Sequence, residues 1–253
     1  MKKHINKNKE HVEKLLGKLR EVSSATKAKS TRRYFPHGIN CIGVTASDIN
    51  STVASFRTEN PQLSATDVLS VSEAILKNAE YSEEVLVAYG LIFNLVKNNY
   101  DDDLLFRFEY WLENYASNWA HVDDLCIKTI YRFLLARPHL IENTQPWSTS
   151  SVSWCRRASN VVWVKFIRRP IGASVYFLDK SLVFENCDLL IRDTDEYVQK
   201  SVGWLLKVAS QHHKKEVIEY IIKNRDYMER STIRYALEKV DKDTKRTILS
   251  ARR

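Results

Sequence analysis

Glycine and proline are scarce in this chain, at six and five among 253 residues. A sheet-rich fold needs turn residues at each hairpin, so the scarcity argues for helices with short connections. No apolar run is long enough to span a bilayer, and no membrane partner is expected. The N-terminus is basic but lacks the apolar core and small-residue cleavage site of a secretory signal. The four cysteines, Cys41, Cys126, Cys155 and Cys187, lie far apart, with no CxxC or Cys/His ligand spacing. They predict buried thiols in a reducing compartment, not disulfides or zinc. A cytoplasmic location is expected, with neither metal nor cofactor.

What is present is ordinary in amount and uneven in placement. The chain is 44% hydrophobic and 28% charged, with a net charge of +8. Its length suits one large domain or one continuous array over 1–253. Residues 1–33 carry 11 Lys/Arg against 3 Asp/Glu, and the remaining 220 residues balance at 28 against 28. Within that balance, 101–124 has seven acids and one base, while 200–253 has 14 bases and seven acids. A basic head and tail around an acidic middle can track a phosphate backbone, or can be a solvated surface.

Apolar spacing supplies the architecture. Ile5, Val12, Leu15, Leu16, Leu19 and Val22 recur at helical period, predicting an amphipathic helix with a basic outer face over 5–23, and 1–33 as a whole reads as a basic N-terminal helix or arm. Residues 24–35 read as a loop or short turn, and Pro36 and Gly38 punctuate the stretch after it. Ser64 and Asp67 form a capping-box pattern ahead of an apolar run. From residue 46 onwards helix and short polar joint alternate, about ten helical segments in all, with no convincing strand. The stretch ending in IRR before Pro170 reads as a helix, and so does ASVYFLDKSLVFENCDLLIRD after it. The reading is all-α: HEAT-like pairs stacked into a curved solenoid with a concave basic DNA-binding face, a globular bundle being the rival.

Three segments then stand out together: NWAHVDDLC (118–126), WCRRAS (154–159) and EYVQKSVGWLLKVAS (196–210). In this order they resemble the DNA alkylation repair family, the AlkD-like HEAT-repeat glycosylases. RYFPHGINCIGV and residues 226–240 extend the resemblance to roughly 30–245. It implies duplex DNA as partner, a monomer, and hydrolysis of the N-glycosidic bond to cationic 3-methyladenine or 7-methylguanine. By motif position it implies Asp123 as the catalytic carboxylate. Trp119 and Trp204 become the aromatic pair on the lesion's sugar and backbone. Arg157 becomes the phosphate contact with Arg156 beside it, and Lys200 a DNA contact. Three departures accompany it: Asn118 stands where an aromatic precedes Trp119, Ala46 replaces the family's proline, and 170–192 is longer than the family's joint.

The chemistry accounts for the residue types. An N3- or N7-alkylated purine is already cationic and leaves without protonation, so one carboxylate suffices. It stabilises the positive charge that grows on the deoxyribose. A Trp and an Asp four apart share a helix face, and aromatic faces attract cations. Taken singly, these residues have ordinary readings as surface carboxylate, packing tryptophans and solvated arginines. Trp111, Trp147, Trp154 and Trp163 read as core, His121 as without a role, and His212 and His213 as solvent-facing. Lys214, Lys215, Arg225, Arg230 and Arg234 are candidate phosphate contacts. A non-catalytic binder of DNA structure and a protein-binding scaffold are the rival functions.

Overall fold

The computed structural model describes residues 2–250, with side chains from residue 8 onwards. Ile5 and the terminal Arg252 and Arg253 therefore lie outside the described side chains. Among the described residues the fold is helical apart from one short hairpin. The helices are α1 (Lys2–Glu21), α2 (Ala25–Arg32), α3 (Ala46–Glu59), α4 (Ala65–Asn78), α5 (Ser82–Phe93), α6 (Leu104–Asn114), α7 (Trp119–Asp124) and α8 (Tyr131–Leu135). After these come α9 (Ser153–Val161), the hairpin β1 (Arg168–Ile171) and β2 (Ser174–Phe177), then α10 (Lys180–Leu190) and α11 (Glu196–Ala209). The chain closes with α12 (Lys214–Asn224), α13 (Arg230–Ala236) and α14 (Lys242–Ser250). A π-helical turn, Leu125–Ile130, joins α7 to α8. No described helix is long and apolar enough to cross a membrane.

The chain packs as two compact units that divide between Phe133 and Leu134. In the first, α3 lies against α5, α5 against α7 and its π-helical turn, and α4 against α5. Leu15, Leu19, Phe56, Ile75, Tyr89, Phe108 and Trp111 are fully buried there. In the second, α9, α11 and α13 lie side by side, with α10 against both α9 and α11. Contact between every second helix is how stacked helical pairs bury their apolar stripes. Arg157 bonds to the Tyr197 carbonyl and Asn160 to Ser201. Both partners advance together along α9 and α11, so these helices run in the same direction. Trp147 and Trp163 are core, as expected, and so are all four cysteines.

Several expectations are corrected. Residues 25–32 are helical, because Ser24 caps the segment by accepting from the Lys27 N–H. The apolar stripe of α1 ends at Leu19, and Val22, beyond the helix, is 41% exposed. Over its described part α1 is a packed helix on α3 and α4, and Lys14 and Lys18 both pair with Glu59. These two ammoniums, with Ser55, hold the Glu59 carboxyl down to about 2. The helix expected up to Pro170 stops at Val161, and the segment ends in the hairpin, with Arg168 opposite Phe177 and Ile171 opposite Ser174. Its two-residue loop is Gly172–Ala173. Gly172 has φ +60 and no described non-glycine residue has positive φ, which fits a type II′ turn.

Candidate functional site

Asn118 starts α7. Its side-chain oxygen accepts from the N–H groups of Ala120 (3.0 Å) and His121 (3.1 Å), two donors that an uncapped helix leaves unpaired. The departure from an aromatic at 118 thus sets the first turn of the helix that carries Trp119 and Asp123. Ala46 has a similar explanation. It is the first residue of α3, capped by Thr45, at the position where proline is tolerated but not required.

His121 ties that turn to α5. Its Nε2 lies 2.7 Å from Ser82 Oγ and 3.2 Å from the Ser82 carbonyl, and its Nδ1 accepts from the Ser117 N–H at 3.3 Å. The side chain is 1% exposed, and burial pushes its pKa from 6.5 to about 4, the bond to Ser82 opposing the shift. His121, given no role by its spacing, is a structural anchor. Its pH effect has a definite sign. Above 6.5 both folded and unfolded chains hold it neutral; below that the unfolded chain takes up a proton that the folded chain refuses. Stability is therefore expected to fall by about 3 kcal/mol between 6.5 and about 4. Urea midpoints across this window check it: His121→Gln should lose this component of the slope, and a slope equal to wild type would refute it.

Trp119 and Asp123 stand four residues apart on α7 and both are half-buried. The indole stacks on Phe35, ring centroids 5.1 Å apart and planes 14° from parallel. Phe35, in a segment that sequence reasoning used only as a family marker, is thus the partner that orients Trp119. The next residue, Asp124, pairs with Lys128, and burial raises its pKa against that lysine.

In the second unit, Tyr197, Lys200, Trp204 and Lys207 occupy one face of α11 by their spacing. Lys200 is exposed and its ammonium lies 4.6 Å over the Tyr197 ring. Trp204 is half-buried. Lys207 lies 4.5 Å over Tyr235. Trp154, expected in the core, is half-buried and tilted against Tyr197 at 5.4 Å. Its aromatic face therefore joins this stripe.

The two arginines are occupied within the protein. Arg156 grips Asp193 with two nitrogens (2.6 and 3.2 Å) and donates to the carbonyls of Ser150 and Ser151 at 3.0 Å. These bonds make it an internal tie between the start of α9 and Asp193. Arg157 is 5% exposed and donates to the Tyr197 carbonyl at 2.6 Å. It fixes α11 against α9. Lys214 pairs with Asp241 and Lys215 with Glu219, while Arg230 and Arg234 are exposed.

The sequence matches a family model described as DNA alkylation repair enzyme over residues 15–240. A solved structure described as a predicted DNA alkylation repair enzyme from Enterococcus faecalis shares the fold at a TM-score of 0.73 and 15% identity, covering 87% of this chain and 97% of that one. A second is the alkylpurine DNA glycosylase AlkC of Pseudomonas fluorescens, solved bound to DNA containing an abasic site analog. It matches at a TM-score of 0.54 and 17% identity over 96% of this chain and 66% of that one. Among curated proteins none matches the sequence.

Proposed function

We propose, since the chain belongs to the DNA alkylation repair enzyme family, that it is a monofunctional glycosylase. Its substrate would be duplex DNA carrying cationic N3- or N7-alkylated purines. The observation that carries this reading is the pairing of Trp119 with Asp123 on one half-buried face of α7, the indole stacked on Phe35. A carboxylate beside phosphates repels them and weakens binding, so its presence there needs a use. Positive charge on the deoxyribose supplies one. As the glycosidic bond lengthens, electron density leaves C1′ for the purine and the sugar approaches an oxocarbenium ion. Asp123 stabilises that ion and orients the water that adds to it. The alkylated base departs neutral, so no acid is required, and no metal or Schiff-base lysine is invoked.

Trp119 presents an aromatic face to the same positive charge. In the second unit the Tyr197–Lys200–Trp204 face is assigned to the DNA strand, with lysine on phosphate and rings on sugar. Arg157 serves by holding α11, a positioning role. On this reading the stacked pairs are HEAT-like repeats and the protein acts as a monomer in the cytoplasm, on nucleoid DNA.

The test is release of 7-methylguanine and 3-methyladenine from methylated duplex, followed chromatographically, with binding measured as salt is varied. Release above the spontaneous rate is expected, with affinity falling on a log–log slope of about 0.9 per phosphate contact. Salt-dependent binding without release would leave a reader of DNA structure. Salt-insensitive affinity for a protein, with none for DNA, would leave a scaffold.

A further inference from the structure

In the first unit a cavity of about 580 Å³ opens between α3, α5 and the helix that runs on from α7. That volume lies in the range of sites that enclose a whole small molecule. It is lined by Asp124 and Lys128, whereas Trp119 and Asp123 are not part of its wall. One side is apolar, with Val53 and Phe93, and amide side chains come from Asn50 and Asn94. Gly90 keeps it open where α5 meets α3: a Cβ there would come within 3.3 Å of Val53 Cγ2.

One guanidinium nitrogen in the wall of the cavity also lacks a partner. Arg57 lines it, and its Nη1 nitrogen is buried with no hydrogen-bond partner among the described residues. Buried donors in native proteins nearly always have an acceptor, so one that lacks it points to an acceptor from outside. Arg132 is not part of the wall, but its guanidinium lies 4.9 Å from the centroid of the lining Phe93 ring, and its Nε is also buried with no partner among the described residues. Of the charged residues of the wall, Lys128 and Asp124 pair with each other, which leaves Arg57 as the net positive charge. An anionic group is therefore favoured. Inorganic phosphate would satisfy Arg57 but leave the apolar wall and both amides empty. A fatty anion would use the wall and leave the amides. A nucleobase attached to a phosphate uses all three.

We propose that this cavity binds a nucleoside monophosphate unit. Arg57 takes the phosphate, the base lies against Val53 and Phe93, and Asn50 and Asn94 meet its edge. The unit comes either from a free nucleotide or from a nucleotide displaced out of a DNA strand. Neither source requires the glycosylase chemistry.

The experiment measures binding of 2′-deoxyadenosine 5′-monophosphate and of inorganic phosphate by calorimetry. It also follows the fluorescence of a duplex with a bulged 2-aminopurine. Wild type is compared with Arg57→Glu and with Ala54→Trp, which fills the cavity from an exposed position on α3. Saturable nucleotide binding is expected, with phosphate alone weaker and each variant weakened by about tenfold or more. A 2-aminopurine response lost in both variants identifies the DNA strand as the source. Nucleotide binding without that response identifies the free nucleotide. The inference is overturned if wild type shows neither signal, or if both variants bind as wild type does. Base release from methylated duplex, assayed on the same wild-type preparation, keeps the two readings apart. Release without nucleotide binding removes the cavity's role alone, and nucleotide binding without release removes the glycosylase reading alone.

Discussion

Asp123→Asn is expected to slow the release of 7-methylguanine by about 10²–10³-fold, the effect of removing one well-placed group that stabilises transition-state charge. Duplex affinity should hold or tighten slightly. The amide has nearly the carboxylate's shape but no charge to set against a developing oxocarbenium ion. The substitution should leave the scaffold standing, because the start of α7 is fixed elsewhere: Asn118 caps it and His121 locks it to Ser82. Loss of affinity to phosphates is not expected, since a negative group is being removed from their vicinity. Single-turnover base release, with binding by fluorescence anisotropy, separates the two effects. Release within threefold of wild type would take Asp123 out of the chemistry. A parallel loss of binding and rate would point to disturbed structure instead.

Much of the fold that supports this site can be read from residue order, and what cannot has physical reasons. The capping box at Ser64 and Asp67 is present with both of its hydrogen bonds, because it depends on local side-chain geometry alone. Helix α2 escapes a periodicity reading because ATKAKSTR has no apolar stripe, and only Ala28 of it is buried. The hairpin escapes because β-branched and aromatic residues around 168–177 fit a buried helix as well as a strand. The deciding signal is the Gly172–Ala173 pair between them. At the candidate site the spacing of Trp119 and Asp123 places them on one face, but the stack on Phe35 is a contact across more than eighty residues and leaves no local pattern. Arg156 and Arg157 illustrate the opposite limit. Adjacent arginines read as solvent-facing, yet Asp193 and the Tyr197 carbonyl draw both guanidiniums into the protein. No spacing rule reveals acceptors some forty residues away.

Glu83→Leu is expected to cost about 5 kcal/mol of folding stability, a third or more of what a typical domain has. Glu83 is 5% exposed, and its carboxylate accepts three backbone N–H groups, from Ile42 (3.1 Å), Gly43 (2.8 Å) and Val44 (3.2 Å). Leucine fills similar volume but strands all three donors. The loop has little room in which to find other partners. Gly43 has φ +79, and a Cβ on it would come within 2.2 Å of the Ser24 carbonyl oxygen and 2.4 Å of the Ala28 nitrogen. It is pressed against α2 on one side and held by α5 on the other. Glu83→Gln keeps one side-chain acceptor and should lose about half as much. Urea unfolding of the three proteins orders them, wild type above Gln above Leu, and a Leu variant as stable as wild type would show that the loop rearranges to pair its donors. The consequence reaches the site through the neighbouring residue. Ser82 opens α5 immediately before Glu83 and bonds to His121, so loosening this end of α5 loosens α7. On the proposed reading, a partly destabilised Gln variant should therefore lose base-release rate faster than it loses DNA affinity, because affinity would be spread over many phosphate contacts while the rate would depend on the placement of one carboxylate.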